Sequence, residues 1–524
     1  VTRARSRGIR PEGGLPINVT RIEDKIMRKV AVAGVLMLGA GAAMAQTLRI
    51  GLEDDIGTID PHRSLQMVDR MVFASMCDSL ISITPDLKLT PKLATSWTVS
   101  PDGKTVTLKL RKNVSFQDGE PFNAAAVKAN FDRELTSPVS ARKLELASVD
   151  HVSVIDEYTV QLSLSHPDAA LLSMLSDRAG MMLAPKILSN DDEISRHPIC
   201  VGPYQFSQRV QNYRIVLNKS PTYWDAAAYP IQQVIYMPVP DGTVRLADLR
   251  SGSIDIAERI GTSDVDSVKR DASLRFVMSN GLGFMGMTYN LNNGPSAVGP
   301  WRDTRVREAL SLSLDRGVIN QVVGAGMFAP AVQAIPPTNP YYDKALTIPQ
   351  RDVARARALL TAAGYPNGVD IQLLLGNNTS AMQLAQVIQA MAAEANIRLK
   401  LIPADFSAAQ AAAISGKFQV ILRPWSGRVD PDGNLLPFVS CKGAMNYGHF
   451  CDPQVDSLLV QARSASGPVE RKSLYDQVFQ LIAREQPITY LYFPPLPFAL
   501  SNKVGGFVAY PDGLIRLRDV TLKS

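Results

Sequence analysis

The sequence predicts an α/β chain of more than one lobe, and three observations predict it. At about 150 residues per domain, 524 residues allow two to four domains. Alternating, β-branched segments dominate as far as about residue 165. Beyond residue 351, helical stripes alternate with apolar runs of strand length. Hydrophobic residues at 46% and charged residues at 20% sit near the globular average, which excludes wholesale disorder and a collagen-like fibre.

Taken in order, the first recognisable segment is an address. Met27-Arg28-Lys29 leads into an apolar run from Val30 to Ala45 that ends Ala43-Met44-Ala45. A basic start, an apolar middle and a small-x-small site make a secretory signal, and the run is shorter than the roughly 20 residues of a membrane span. Residues 1–26 are expected to be an upstream extension and 27–45 the signal peptide. Gln46 follows the cleavage site, and no Cys stands there to take a lipid. The mature product is expected to be soluble and periplasmic, without a lipid anchor.

Thr47 to Leu52 alternates as a strand, and Ile59-Asp60-Pro61 closes the turn-rich loop after it. Met71, Val72, Ser75, Met76 and Leu80 have helical spacing and predict a helix over 68–83. Val99, Val106, Leu108 and Leu110 alternate around Pro101-Asp102-Gly103, a hairpin with its turn chemistry in place. A second alternating pair, 151–155 and 159–164, surrounds Asp156-Glu157. Later, Val353, Ala356, Leu359 and Leu360 form a helical stripe that Gly364 terminates as a left-handed cap. A buried strand at 371–375, a helix at 382–395 and a strand at 397–402 follow. Such units predict a parallel sheet with ligands at the carboxyl ends of its strands.

Charge and motifs exclude several functions. Lys+Arg 55 against Asp+Glu 49 gives +6, but residues 1–45 hold eight basic and three acidic side chains, so the rest of the chain carries only +1. That is no nucleic-acid footprint, and no nucleic-acid partner is expected. Four Cys cannot replace a core in a chain this long. Cys441 and Cys451, ten apart around Gly443, Asn446 and Gly448, define a loop short enough to bridge, worth roughly 2–3 kcal/mol on the chain-entropy estimate. Cys77 and Cys200 are then left to each other or stay as buried thiols. No CxxC or HxxxH pair exists among the Cys and His residues, so no metal site and no cofactor are expected. Gly281, Gly283 and Gly286 spell GxGxxG, but Phe284 to Tyr289 continues as a strand where a dinucleotide fold needs a helix. There is no GxSxG, HExxH or P-loop, so the chain is not expected to be an enzyme; an exported hydrolase is the rival reading.

Several motifs are spread in order over nearly all of the mature chain, beginning with Leu93-Ala94-Thr95-Ser96-Trp97, Ser100-Pro101-Asp102-Gly103-Lys104 and Phe116-Gln117-Asp118-Gly119-Glu120-Pro121-Phe122. Val201-Gly202-Pro203-Tyr204, Tyr223-Trp224-Asp225, Arg305-Val306-Arg307-Glu308-Ala309-Leu310 and Asp430-Pro431-Asp432 continue the series. In these segments the chain resembles the extracytoplasmic solute-binding proteins of the dipeptide, oligopeptide and nickel class, family 5, which deliver ligands to ABC importers. The resemblance implies a two-lobed periplasmic-binding-protein-like fold of type II with an extra inserted subdomain. Lobe I would comprise 46–82, 200–283 and 497–524, the inserted subdomain 83–199, and lobe II 284–496. Two hinge crossings would join the lobes, one at the 281–286 glycines, with a solute enclosed between them.

The same resemblance implies a monomeric importer subunit that captures a peptide or peptide-like solute and hands it to permease and ATPase partners. A chemosensory or chaperone use of the clamp is the alternative. Peptide binders of the family carry an Asp in the loop after the position of Trp425 to pair with a peptide amino terminus, whereas this chain has Arg428. A guanidinium suits a carboxylate or phosphate, so Arg428 predicts an anionic group on the solute. Its alternative is a bridge to Asp430 or Asp432 within the loop. Trp425 is expected to floor the pocket by stacking. Asp54, Asp55 and Arg63 in the loop after the first strand, Asp430, and Tyr447 in the Cys441–Cys451 loop complete the candidate ligand set. Asp303, Arg305 and Arg307 read as helix-start residues.

Overall fold

The computed structural model describes residues 46–465 and 467–523. The upstream extension and export signal expected at 1–26 and 27–45 lie outside these residues. Thr47–Leu52 lies mid-sheet, and its Leu48, Ile50 and Leu52 are fully buried. It runs parallel to Gln233–Pro238 on one side and to Ile256–Glu258 on the other. The seven-stranded sheet continues through Arg214–Lys219 to Tyr204–Val210 at one edge, and through Pro495–Ser501 to Leu274–Asn280 at the other. These outer pairings are antiparallel.

A six-stranded sheet forms the second lobe in the order Ala329–Pro330, Ile488–Phe493, Met285–Tyr289, Val420–Pro424, Val369–Gly376, Ile397–Ala404. Val369–Gly376 is parallel to both neighbours, as the helix–strand alternation predicts. The sheet is nevertheless mixed, because Met285–Tyr289 and Ile488–Phe493 pair antiparallel. They carry the chain into and out of this lobe, so they must run in opposite directions. Leu274–Asn280 of the first sheet continues across 281–284 into Met285–Tyr289, and Ile488–Phe493 continues across Pro494 into Pro495–Ser501. These are the two hinge crossings. Each sheet has its own large apolar core.

The hairpin around Pro101-Asp102-Gly103 forms between Ala94–Val99 and Thr105–Leu110, with Gly103 at φ +69°. With Val149–Asp156 and Thr159–Leu164 it builds a four-stranded antiparallel sheet. Asp303 caps helix Thr304–Ser313 by accepting from the Arg305 N–H, and Arg305 also pairs with its carboxylate. The helix predicted over 68–83 ends at Met76. Cys77 turns extended, and Ile81–Ile83 pairs with Leu89–Pro91 as a short strand pair. A short apolar run with few turn residues fits either period, and the strand won. Both cysteine pairs are bonded, Cys77 to Cys200 and Cys441 to Cys451, with Cα separations of 5.0 and 4.4 Å. No helix among the described residues is long and apolar enough to cross a membrane.

A buried polar knot ties the loop after the first strand to helix Ala124–Thr136. Arg133 donates to Asp60 Oδ2 at 2.6 Å and lies 2.8 Å from His62 Nδ1, while His62 Nε2 sits 3.2 Å from the Met181 carbonyl and 3.4 Å from Glu134. Burial, opposed by Asp60 and reinforced by Arg133, pulls the His62 pKa down to about 4. The folded state therefore refuses a proton that the unfolded chain accepts near 6.5. His62 contributes its full stabilisation above pH 6.5, and that contribution drains away as pH falls towards 4, by about 3 kcal/mol at most at 1.36 kcal/mol per unit. Urea titrations of the wild type and His62→Gln from pH 7.5 to 4 should show the stability difference shifting in favour of the variant by that order. A pH-independent difference would show that His62 does not titrate in this way.

Candidate functional site

The loop after Val420–Pro424 is pinned by one buried side chain. Asn434, fully buried in helix Asp432–Val439, accepts from the Trp425 indole N–H at 2.8 Å and from the Arg428 N–H at 2.9 Å. Its amide returns a hydrogen bond to the Arg428 carbonyl at 2.9 Å. Gly427 adopts φ +82° where the loop presses on the 281–284 crossing. On the crossing itself, a Cβ at Gly283 would fall 1.6 Å from the Trp425 carbonyl oxygen, so only glycine fits there. The GxGxxG glycines thus serve close packing at a hinge.

Trp425 is 9% exposed; its ring meets Phe438 edge-on and carries the Arg428 guanidinium 4.5 Å above it. That geometry is a cation–π stack. Arg428 pairs with neither of the acids in its own loop. Its Nε lies 3.2 Å from Asp177, which belongs to the segment between Leu171–Met174 and Arg178–Gly180. Asp430 is gripped by Arg471 through two hydrogen bonds, 2.9 and 3.0 Å. Asp432 is paired with Arg463 at 3.0 Å. Arg463 also approaches Asp168 at 3.8 Å, and its carbonyl accepts from the Ala169 N–H at 2.8 Å. Segment 168–178 therefore touches the six-stranded lobe at two places.

Around Asp177 the structure gathers three further arginines that motif reading did not single out. Arg70 donates from Nε to Asp177 at 3.0 Å, and Arg142 and Arg178 both donate to the Ser64 carbonyl at 2.7 Å. Arg142 also binds Glu145 at 2.7 Å. Burial, then the charge of Arg70, pulls the Arg428 guanidinium down to about 10. Burial and the charge of Arg142 pull Arg178 well below the usual range. For Asp177, burial works against its charge, but Arg70 and Arg428 outweigh it and hold the carboxyl below the usual range. One signal was available: Asp69 and Arg70 interrupt an otherwise apolar helix face, and both are buried. Arg142 and Asp177-Arg178 lie in loops and short turns that carry no pattern.

The remaining candidates are dispersed. Asp54 and Arg63 are exposed; burial of part of its surface raises the Asp54 pKa despite the N–H of Asp55. Asp55 is engaged by Arg209 at 3.2 Å and the Asn212 N–H at 2.8 Å, within the first sheet's side. Tyr447 accepts from Gln410 at 2.8 Å and lies beneath Arg423, packed with a small separate apolar cluster of the second lobe.

The sequence model for bacterial extracellular solute-binding proteins, family 5 (middle region), matches residues 88–446, more than half of the chain. The chain belongs to that family, whose members are binding proteins of transporters. The glutathione-binding protein GsiB of Shigella dysenteriae serotype 1 is 29% identical over 517 residues, covering 95% of this chain and 100% of the relative. GsiB of Escherichia coli K12 is 28% identical with the same coverage. Among solved structures, the binding protein AgaA of A. tumefaciens R10 in complex with agropinic acid superposes with a TM-score of 0.83 at 26% identity, covering 91% of this chain and 99% of that one. A dipeptide binding protein from Pseudoalteromonas sp. SM9913 in complex with Met-Leu gives 0.84 at 22% identity, covering 91% and 100%. The two-lobed fold expected from the sequence is the fold of these proteins.

The Asp430–Arg471 pair should behave as a buried ion pair. Arg471→Met leaves a buried carboxylate without its cation and is expected to destabilise by about 3–5 kcal/mol, while the double variant with Asp430→Leu recovers most of that loss. Urea denaturation of the three proteins measures both values. A single variant as stable as the wild type would contradict the assignment.

Proposed function

We propose that the chain is the periplasmic substrate-binding subunit of an ABC importer, a clamp that captures a peptide or peptide-like solute bearing an anionic group and releases it unaltered to permease and ATPase subunits. The observation that carries the reading is the family match over 88–446, which takes in both the inserted segment and the loop of Trp425 and Arg428. The relatives support the solute class: one is named for glutathione, a tripeptide with two carboxylates, and one was solved with agropinic acid.

In this reading 27–45 is a cleaved export signal, no lipid is attached, and the chain works as a monomer without a catalytic step. Lobe I takes 46–82, 200–283 and 497–524, the subdomain 83–199, and lobe II 284–496; the membership of the three larger sheets supports this division in outline, with the second crossing nearer Pro494, since Pro495 and Leu496 already pair in the first sheet. Trp425 and Arg428 are the solute contacts, and Arg428 reaches across to Asp177 of the inserted segment. Exposed Asp54 and Arg63 stand at the rim, whereas Asp55, Asp430 and Tyr447 act by holding their loops through the partners described. Micromolar capture needs only about −8 kcal/mol, so a few well-placed contacts suffice and a chemical step is unnecessary.

Calorimetry with glutathione and a dipeptide library, followed by mass spectrometry of the recovered solute, tests the proposal. One solute per chain, returned chemically intact, is the expected result. Products of turnover, or no heat from any member, would overturn it.

A further inference from the structure

Around Asp177 two arginines from opposite lobes share a single carboxylate. Arg70, Arg142, Arg178 and Arg428 are each at most 9% exposed. The carboxylates that face them are Asp177, Glu145, Asp69, which acts on Arg178 and accepts from the Ser64 hydroxyl at 2.7 Å and the Gly57 N–H at 2.8 Å, and Glu134, which acts on Arg142 and is buried without a hydrogen-bond partner. Nearby Asp512 is held by Arg516 at 2.7 Å and adds no net charge. Arg70 and Arg428 nevertheless share one close carboxylate, Asp177, and a buried charge with half a partner is costly. Arg142 Nε and Arg178 Nε are buried without a hydrogen-bond partner. Arg178 Nε is 3.8 Å from Asp177, beyond hydrogen-bond reach.

Asp177 itself fits its place imperfectly. Its Oδ2 lies 2.9 Å from Arg70 Nη2 and 3.2 Å from Arg428 Nε, yet the angles allow a hydrogen bond to neither. Only Oδ1 is hydrogen-bonded, to Arg70 Nε. An aspartate on this backbone sits between two forks without matching both, whereas a free carboxylate can turn to meet a guanidinium edge with two parallel bonds. The forks come from different lobes, Arg70 from helix Met67–Met76 and Arg428 from the loop beside Val420–Pro424.

We propose that Asp177 is a built-in counter-ion that holds the place of a solute carboxylate between Arg70 and Arg428, and that capture exchanges one carboxylate for the other. This rests on the clamp reading above and narrows it: the solute presents a free carboxylate at this end, and Asp177 competes with it. The competition sets a ceiling on affinity and gives release a driving force, since Asp177 can return as the solute leaves.

The test compares wild type, Asp177→Asn and Arg428→Gln by calorimetry, using glutathione, the best dipeptide from the library and the C-terminal amide of that dipeptide. Asp177→Asn is expected to bind the free acids about fivefold or more tightly than wild type, with the amide unchanged, because the competing anion is gone. Arg428→Gln should abolish the preference for acid over amide, and this arm decides the matter if Asp177→Asn does not fold. Equal loss for acid and amide in Asp177→Asn would make Asp177 a positioning residue and overturn the proposal, as would a preference undiminished in Arg428→Gln.

If no peptide binds the wild type, the clamp's solute class fails separately. The exchange is then judged by thermal unfolding with sulfate as the probe. Sulfate should raise the melting temperature of Asp177→Asn more than that of the wild type, and equal shifts would overturn the proposal.

Discussion

Two crossings joined side by side govern what the lobes can do. Leu274–Asn280 and Pro495–Ser501 are paired in one sheet, and their continuations Met285–Tyr289 and Ile488–Phe493 are paired in the other. A paired ribbon resists shear and separation but bends where its ladder is interrupted, here at 281–284 and at Pro494. That leaves hinge bending as the motion available between two independently packed cores. The contact of Gly283 with the Trp425 carbonyl makes this functional, because the loop that carries Trp425 and Arg428 rests on the bending point itself. A change of hinge angle is a change of where Arg428 points.

The contacts across the lobes are not the sole contacts of the groups that make them. Each arginine that reaches across also has company at home: Arg428 keeps the face of Trp425 and the Gly427 carbonyl, 2.7 Å away, and Arg463 keeps Asp432. Asp177 likewise keeps Arg70. A buried ion pair returns little more than the desolvation it requires. The cross-lobe pairs therefore specify the register of closure without holding the jaws shut, which suits a device that must let go. Pairs that stay within one lobe, such as Asp430–Arg471, have no such reason to be weak, and that one has the full two-bond geometry.

Much of the fold was legible because periodicity survives in single segments. The hairpins near 101–103 and 156–157, and the helix and strands between 353 and 404, all sit where spacing placed them. The helix past Met76 failed because a buried strand and a buried helix turn present the same apolar letters, and the extended Cys77 that separates them carries no local signal. The mixed sheet was not visible from βαβ spacing, since the two antiparallel members owe their direction to the lobe crossings. The candidate site was only half legible. Trp425 and Arg428 lie three positions apart in one loop and draw attention by residue type, whereas Arg70, Arg142 and Asp177-Arg178 come near them only through tertiary structure.

Arg428 shows why local inference points the wrong way for a charged loop residue. Asp430 and Asp432 are its nearest acids in sequence, yet Arg471 and Arg463, from the two helices Pro453–Ser464 and Pro468–Glu485, reach them first. A loop of fixed backbone, pinned by Asn434, directs the Arg428 side chain away from its own acids and over the Trp425 ring. What it meets is a neighbourhood already rich in like charge. An acid in this position would be attracted to Arg70, Arg142 and Arg178, and nothing further would be needed to neutralise it. An arginine adds to the repulsion, so an anion between the two lobes stabilises the arrangement. Asp177 supplies that anion from the chain itself, and the sign of the charge at one loop position thereby determines that the opposite wall of the cleft must be able to present a carboxylate.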